Sequence, residues 1–447
     1  MQEKYEKLFY EFEPQETHWG DWCHSPQAYF RGERDMPGAA MNVGFQVFKA
    51  PMLLETEPHF HREDEYLMFL GAKLPDVFSS WDAEVHFYVG KTLDTMEKIV
   101  ITEPTVVKLP KSWWHSPLNF VRVDKPLLFQ AAQLSGRTGL VKYVERQDGE
   151  RQYLYIGDEA ERMCVMDPSK RCTICGYCFA HPEKRPPLPY SYVKWTVVNE
   201  DGVTSYTDTG AYDPSKAPMG PDCVIRPGYT SKPYSDATKL KVNKPPLSPE
   251  LAKCVLAIPK EETFWGPWCP SPQAYFRGEI YMEEATYHIN WQVFTAPNNM
   301  ENPHIHQGAE EYIYFMGADP MNIFDFDCEI EMFFGDDPDH MESRLITKPT
   351  VIRIPANVWH CPILFRKMNK PILFHVGFLS GVWGTIIIEP EEKNPELPEG
   401  EADSRPFGRK RTYTYMGDNV RFCKFHPEKR CIICGACFPK PEEYLKE

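Results

Sequence analysis

Two sets of residues in this chain have the types and spacing to hold a metal ion. His59 and His61 stand two apart, Glu65 follows, and His115 comes later within PKSWWHSPL. The second set is His304 and His306, then Glu310 or Glu311, then His360 within PANVWHCPI. Residues two apart on a strand point to the same face, so each His-x-His pair projects together. A carboxylate and a distant third histidine complete such a site from neighbouring strands. Three imidazoles and one carboxylate suit a divalent Fe, Mn, Ni or Zn ion, with room left for water or substrate.

A second chemistry lies in the cysteines. Eight of the 14 fall in two clusters: Cys164, Cys172, Cys175 and Cys178, then Cys423, Cys431, Cys434 and Cys437. Four thiolates at a repeated spacing are a strong metal signal, and a tetrahedral zinc would staple a loop-rich tail. The spacing reverses that of the structural zinc lobe of medium-chain alcohol dehydrogenases. The rival is a [4Fe–4S] cluster, since CIICGAC resembles a ferredoxin run. No fourth cysteine followed by proline comes shortly downstream, which favours zinc.

These residues must be positioned by something that occurs twice. EPHFHREDEYLMFLG (57–71) answers NPHIHQGAEEYIYFMG (302–317), and TEPTVVKLPKSWWHSPL (102–118) answers TKPTVIRIPANVWHCPI (347–363). KRCTICGYCF (170–179) answers KRCIICGACF (429–438). An internal repeat of this length means two domains of one kind. Short runs such as TVVKLP, AEVHFYVG and EIEMFFG, rich in β-branched and aromatic residues and bounded by Gly and Pro, predict an all-β sandwich or small barrel in each copy. The expected organisation is a first domain over 15–160, its cysteine tail over 161–182, a Pro-rich linker over 183–259 with a hairpin at 192–209, a second domain over 260–390, and an acidic loop with the second tail over 391–440.

His-x-His, a glutamate three or four residues on, a glycine, and later Pro-x4-His resemble the two motifs of the cupin superfamily, and their duplication resembles a bicupin. The resemblance covers both repeats. It implies two tandem antiparallel jelly-roll barrels, each with a metal at its centre. Carried over by motif position, the ligands are His59, His61, Glu65 and His115, and His304, His306, Glu311 and His360. Glu311 is preferred because EYIYFMG matches EYLMFLG. Manganese or iron is the expected ion in these sites. The implied activity is a metal-dependent enzyme that cleaves a C–C bond in a small phenolic or 1,3-dicarbonyl substrate, of dioxygenase type. The alternatives are oxygen-independent Mn- or Zn-dependent hydrolysis, ring opening of a cyclic diketone or decarboxylation, and a non-catalytic cupin that only binds a small ligand.

SPQAYFRGE occurs at 25–33 and again at 271–279. Read as a strand, it puts Gln27, Tyr29, Arg31 and Glu33 on one face, and Gln273, Tyr275, Arg277 and Glu279 likewise. It serves repeat architecture first, and Arg31 and Arg277 are candidate anchors for a substrate oxygen. The copies differ at Gln130 and His375, Asn42 and His288, and His86 and Glu331. That makes copy two richer in groups that titrate near neutrality, points to its site if only one is active, and makes His375 a candidate catalytic residue. Trp113, Trp114 and Trp359 beside the motif histidines either wall a ring substrate or pack the core.

The 447 residues carry a net charge of −15, which argues against nucleic acid as a partner. No apolar run resembles a signal peptide or a membrane span, so a cytoplasmic protein acting on a small molecule is expected. Two barrels in one chain already supply the pair that single cupins form, and a homo-oligomer beyond that is left open.

Overall fold

The structure is a computed structural model. It describes residues 3–15, 22–54, 58–61, 63–137, 139–146, 151–157, 194–199, 202–207, 223–224, 245–261, 267–306, 309–381, 384–390 and 411–417. Both cysteine clusters and the acidic loop at 391–410 lie outside these residues. Of the expected hairpin, Lys194–Asn199 pairs antiparallel with Gly202–Thr207.

Among the described residues the fold is all-β, and its strands pair antiparallel throughout. The sequence alternation explains the strands. In Ala83–Gly90, Val85, Phe87 and Val89 enter the core, while His86 and Tyr88 stay partly exposed on the opposite face. Cys328–Gly335 repeats the pattern with Ile330, Met332 and Phe334 inside.

The chain divides into two compact units. The unit built on copy one spans Glu16–Gly71 and Ser80–Ala257. One of its sheets has the order Val255–Ala257, Thr105–Leu109, Glu65–Gly71, Leu127–Gln133, Asn42–Phe48, Ala28–Phe30. The facing sheet has the order Arg151–Gly157, Gly139–Arg146, His59–His61, Trp114–Val123, Ala83–Gly90, Glu97–Ile101. The unit built on copy two spans Met1–Gln15, Ala72–Ser79 and Ile258–Glu447, and repeats the arrangement. Each unit fills the space between its sheets with the same four rings. They are Phe48, Phe69, Phe120 and Phe129 in one, and Phe294, Phe315, Phe365 and Phe374 in the other. The closest pairs have centroids 4.4 Å (Phe48–Phe120) and 4.9 Å (Phe294–Phe374) apart. Each buried ring contributes about 1.5–3 kcal/mol.

The unit boundaries follow strand pairing rather than repeat order. Phe9–Glu11, ahead of copy one, closes the edge of Thr350–Ile354 in copy two. Val255–Ala257, ahead of copy two, closes the edge of Thr105–Leu109 in copy one. Part of the segment read as linker therefore belongs to the copy-one unit. Strands of three residues at a sheet edge leave no periodicity by which a sequence could assign them.

SPQAYFRGE forms a shorter strand than its alternation suggests. Only Ala28–Phe30 pairs with Asn42–Phe48, and Gln273–Phe276 does the same in copy two. Gly32 then turns with φ 56°, and the Glu33 amide donates to Gly136 O at 2.8 Å. A Cβ on Gly32 would fall 2.3 Å from that same oxygen. Gly278, at φ 51°, docks on Gly381 O in the same way, with the Glu279 amide 2.7 Å from it. The turn sends Glu33 out of the strand face and into an ion pair with Arg137. The duplicated nine residues are thus a wall strand and a glycine-only turn, which both barrels need.

Candidate metal centres

In copy one, His59 and His61 lie on one short strand, with Phe60 between them packed against Trp114 at 4.8 Å. His115 lies directly opposite His59 on the neighbouring strand. Glu65 opens a strand of the facing sheet, in phase with the core residues Leu67 and Phe69. Its Oε2 is 3.4 Å from both His61 Nε2 and His115 Nε2. All four side chains are buried.

Copy two repeats the constellation more tightly. His304 faces His360 across the strand pair, and Glu311 Oε2 is 3.2 Å from His306 Nε2 and 3.0 Å from His360 Nε2. Glu310 is turned away: it pairs with Arg353 at 2.8 Å and accepts from the Tyr312 hydroxyl at 2.5 Å. In both copies the three imidazoles bring one nitrogen each to within 4.8 Å of one another.

The ring orientations are set from behind. His360 Nδ1 lies 2.9 Å from Val358 O, His304 Nδ1 2.9 Å from Asn302 O, and His306 Nδ1 3.2 Å from Thr385 Oγ1. In copy one, His61 Nδ1 lies 3.0 Å from Gly139 O and His115 Nδ1 3.2 Å from Trp113 O. A proton held on Nδ1 by a carbonyl leaves the Nε2 lone pair pointing inward, as metal-ligating histidines require. Burial, reinforced by His360 and His306, pushes His304 well below the ordinary histidine range, so its ring is neutral.

The donors fit a divalent cation. His360 Nε2 and Glu311 Oε2 are buried 3.0 Å apart, and neither has a partner outside the cluster. Two acceptors facing each other in a dry interior repel unless a cation lies between them. Separations of 3.0–3.4 Å also suit neighbouring donors on one ion, each about 2.1 Å from it.

The remaining candidates are spread over different faces. His288 does line the barrel interior: it is buried, its ring is 5.7 Å from Phe378, and burial lowers its pKa to about 3. His375 faces the other way. Its strand neighbours Phe374 and Val376 point into the core, while His375 packs between Trp291 at 5.5 Å and Tyr314 at 5.2 Å and bonds to Asn290 O. Gln130 has the same outward phase in copy one. His86 bonds to Glu84 at 2.7 Å, and Glu331 to Arg366 at 2.7 Å, both on outer faces. Trp114 and Trp359 pack on Phe60 and Ile305, behind the ligand pairs rather than over them.

Arg31 stacks on Tyr29 at 4.8 Å and Arg277 on Tyr275 at 4.6 Å. Each tyrosine hydroxyl accepts from an interior glutamine, Gln46 at 2.9 Å or Gln292 at 2.8 Å. Arg277 is also paired with Glu261 at 2.7 Å, whereas no ion pair engages Arg31 among the described residues.

Three residues of the centres were missed by sequence reasoning. Gln133 lies over the His61 ring and donates to Glu65 Oε1 at 3.3 Å; its counterpart Phe378 packs edge-on against His306 at 4.7 Å. Glu301 lies 3.6 Å from His304 Nε2. The Gln133–Phe378 difference is visible in the sequence, where QAAQLSG (130–136) answers HVGFLSG (375–381).

No protein-family model and no curated protein matches the chain. Solved structures of oxalate decarboxylase from Bacillus subtilis do resemble it. An arginine-to-alanine mutant of that enzyme aligns at 10% identity and a TM-score of 0.43, covering 85% of this chain and 79% of the other. A structure from a study of its Mn(II) centres gives 10%, 0.44, 85% and 79%. A tryptophan-to-phenylalanine mutant gives 10%, 0.42, 84% and 77%. So distant a likeness says nothing of what this chain binds or does.

Proposed function

We propose that this protein is a metal-dependent, cupin-type enzyme that breaks a C–C bond in a small oxygenated substrate held through its oxygens at a divalent ion. One observation carries the reading: each unit buries three inward-facing imidazole nitrogens and one carboxylate around a single point. A bound divalent ion supplies Lewis acidity, polarising substrate oxygens and stabilising the charge that develops as the bond breaks. The backbone carbonyls behind Nδ1 of His61, His115, His304 and His360 keep those imidazoles aimed. Four protein donors leave room for substrate on an ion that prefers six. The buried walls exclude water, which strengthens every electrostatic interaction inside. In copy one, Arg31 over Tyr29 is free of a protein anion among the described residues and is suited to a substrate carboxylate or enolate oxygen.

The test is turnover by chain reconstituted with Mn2+, Fe2+ or Zn2+, against catechols, 1,3-diketones and small dicarboxylic acids. O2 uptake and CO2 release are followed together, to separate oxygenolysis from hydrolysis and decarboxylation. Activity should vanish in a His61→Ala, His306→Ala double variant. Full activity in that variant would refute the assignment. Metal and acid-labile sulfide content of the same preparation distinguishes zinc from Fe–S at the two cysteine clusters.

A further inference from the structure

We propose that Glu301 is a fifth protein donor to the copy-two centre, which makes it a three-histidine, two-carboxylate site with one open position. This rests on the metal reading above and adds a ligand to it. Glu301 Oε2 is 3.6 Å from His304 Nε2, close to the 3.0 and 3.2 Å separations of Glu311 from the other two imidazoles. The two carboxylates therefore approach the same histidine trio, Glu311 by His306 and His360, Glu301 by His304. Charges of one sign converging on a largely buried cluster call for a cation between them.

The backbone supports the placement. Glu301 directly follows the strand Asn299–Met300 and has φ 57°, a conformation that costs a non-glycine residue about 1–3 kcal/mol. An extended residue would continue the strand. The left-handed one turns the chain within three residues, from buried Met300 to ligand His304. Cys361, next to ligand His360 where copy one has Ser116, directs its thiol at Glu301 Oε2 from 4.0 Å. The buried His360 Nε2 and Glu311 Oε2, with no partner outside the cluster, are the independent sign that a cation belongs at this point.

A sixth position alone would then be open on an octahedral ion. The copy-two centre would bind ligands through one atom, such as a water or a single carboxylate oxygen, and would not accept a substrate through two.

The test counts waters on bound Mn2+, an ion poorly matched to thiolates, by proton relaxation. In a His59→Ala, His61→Ala background all site-bound Mn2+ reports on copy two. The parent should show about one inner-sphere water and Glu301→Ala about two, with the Kd for Mn2+ raised roughly 10–100-fold. Two waters in the parent would overturn the inference and leave the metal reading intact. No bound Mn2+ in the parent would overturn both. If the background variant does not fold, the comparison moves to the otherwise unaltered chain. There Glu301→Ala should raise the total by about one water, and an unchanged total overturns the inference.

Discussion

Glu311→Gln should stabilise the copy-two unit without metal and forfeit most of the stabilisation that metal gives. Without metal, a single proton on the His360 ring is held on Nδ1 by Val358 O, so its Nε2 presents a lone pair. Glu311 Oε2 lies 3.0 Å from that lone pair and has no partner outside the histidine cluster. A buried polar group left in that state costs about 1–3 kcal/mol. A glutamine amide at the same place can donate to His360 Nε2, so the metal-free variant should gain about 2 kcal/mol, or roughly 4–8 °C in Tm for a unit of this size. With Mn2+ at a hundred times its Kd, the unaltered chain should gain about 2.7 kcal/mol. If the variant binds 100-fold more weakly, the same Mn2+ adds only about 0.4 kcal/mol. Calorimetry of both chains in chelator and in Mn2+ reads all four values. A variant less stable in chelator, yet fully stabilised by Mn2+, would refute both the tautomers and the ligand role.

Other consequences follow from the packing. Burial lowers the His375 pKa to about 3, against an unfolded value near 6.5, so below pH 6.5 the unfolded chain takes up a proton that the folded chain refuses. Stability is lost as pH falls, by about 2 kcal/mol between pH 7 and pH 5. His375→Gln, copying Gln130, should remove that share of the slope in denaturant titrations; an unchanged slope would show that His375 is protonated in the folded state. Gly32→Ala and Gly278→Ala should each destabilise by at least about 1–3 kcal/mol, because both the positive φ and the facing carbonyl exclude a Cβ. Equal urea midpoints for variant and parent would contradict the turn. Deleting residues 1–12 removes buried Phe12 and the Leu8 carbonyl that accepts from the Arg353 amide at 2.8 Å. The copy-two unit should lose about 3–5 kcal/mol, and the Arg353 amide should exchange faster with deuterium, while unchanged exchange would place the first strand elsewhere.

Sequence parity picked out the histidines that converge in each unit because both determinants are local. His-x-His fixes a shared face, and the facing His115 or His360 sits in a run whose proline and tryptophan flanks recur. The choice between Glu310 and Glu311 was less legible, since the loop after the second histidine differs in length between the copies. What decides it is non-local: Arg353, on the neighbouring strand, takes Glu310. His375 shows the opposite limit. Its difference from Gln130 is plain in the sequence, but its direction depends on Phe374 and Val376 filling the core, which reverses the phase of the residue between them. Edge strands as short as Phe9–Glu11 carry no pattern, and their pairing with the other copy is set by which sheet edge is open.

The duplication therefore preserves the frame and varies what touches the ligands. Both barrels retain the wall strand, the glycine turn, the four phenylalanines and the three imidazoles. Against this constant frame, Gln133 gives copy one a donor beside His61 and Glu65, where copy two places the apolar ring of Phe378 on His306. A donor to the ligating carboxylate disperses its charge and weakens it as a metal donor, whereas an apolar ring leaves that charge undiminished in a drier site. Asn42 and His288 follow the same division on the adjoining strand, a small amide in one interior and a neutral imidazole in the other. Two ions bound by the same three imidazoles and one shared carboxylate, with Glu301 added in copy two, would then differ in Lewis acidity and in access. The unequal surroundings of the two centres, and the extra carboxylate of Glu301 in copy two, rather than the ligands they share, are where a division of labour between the copies would originate.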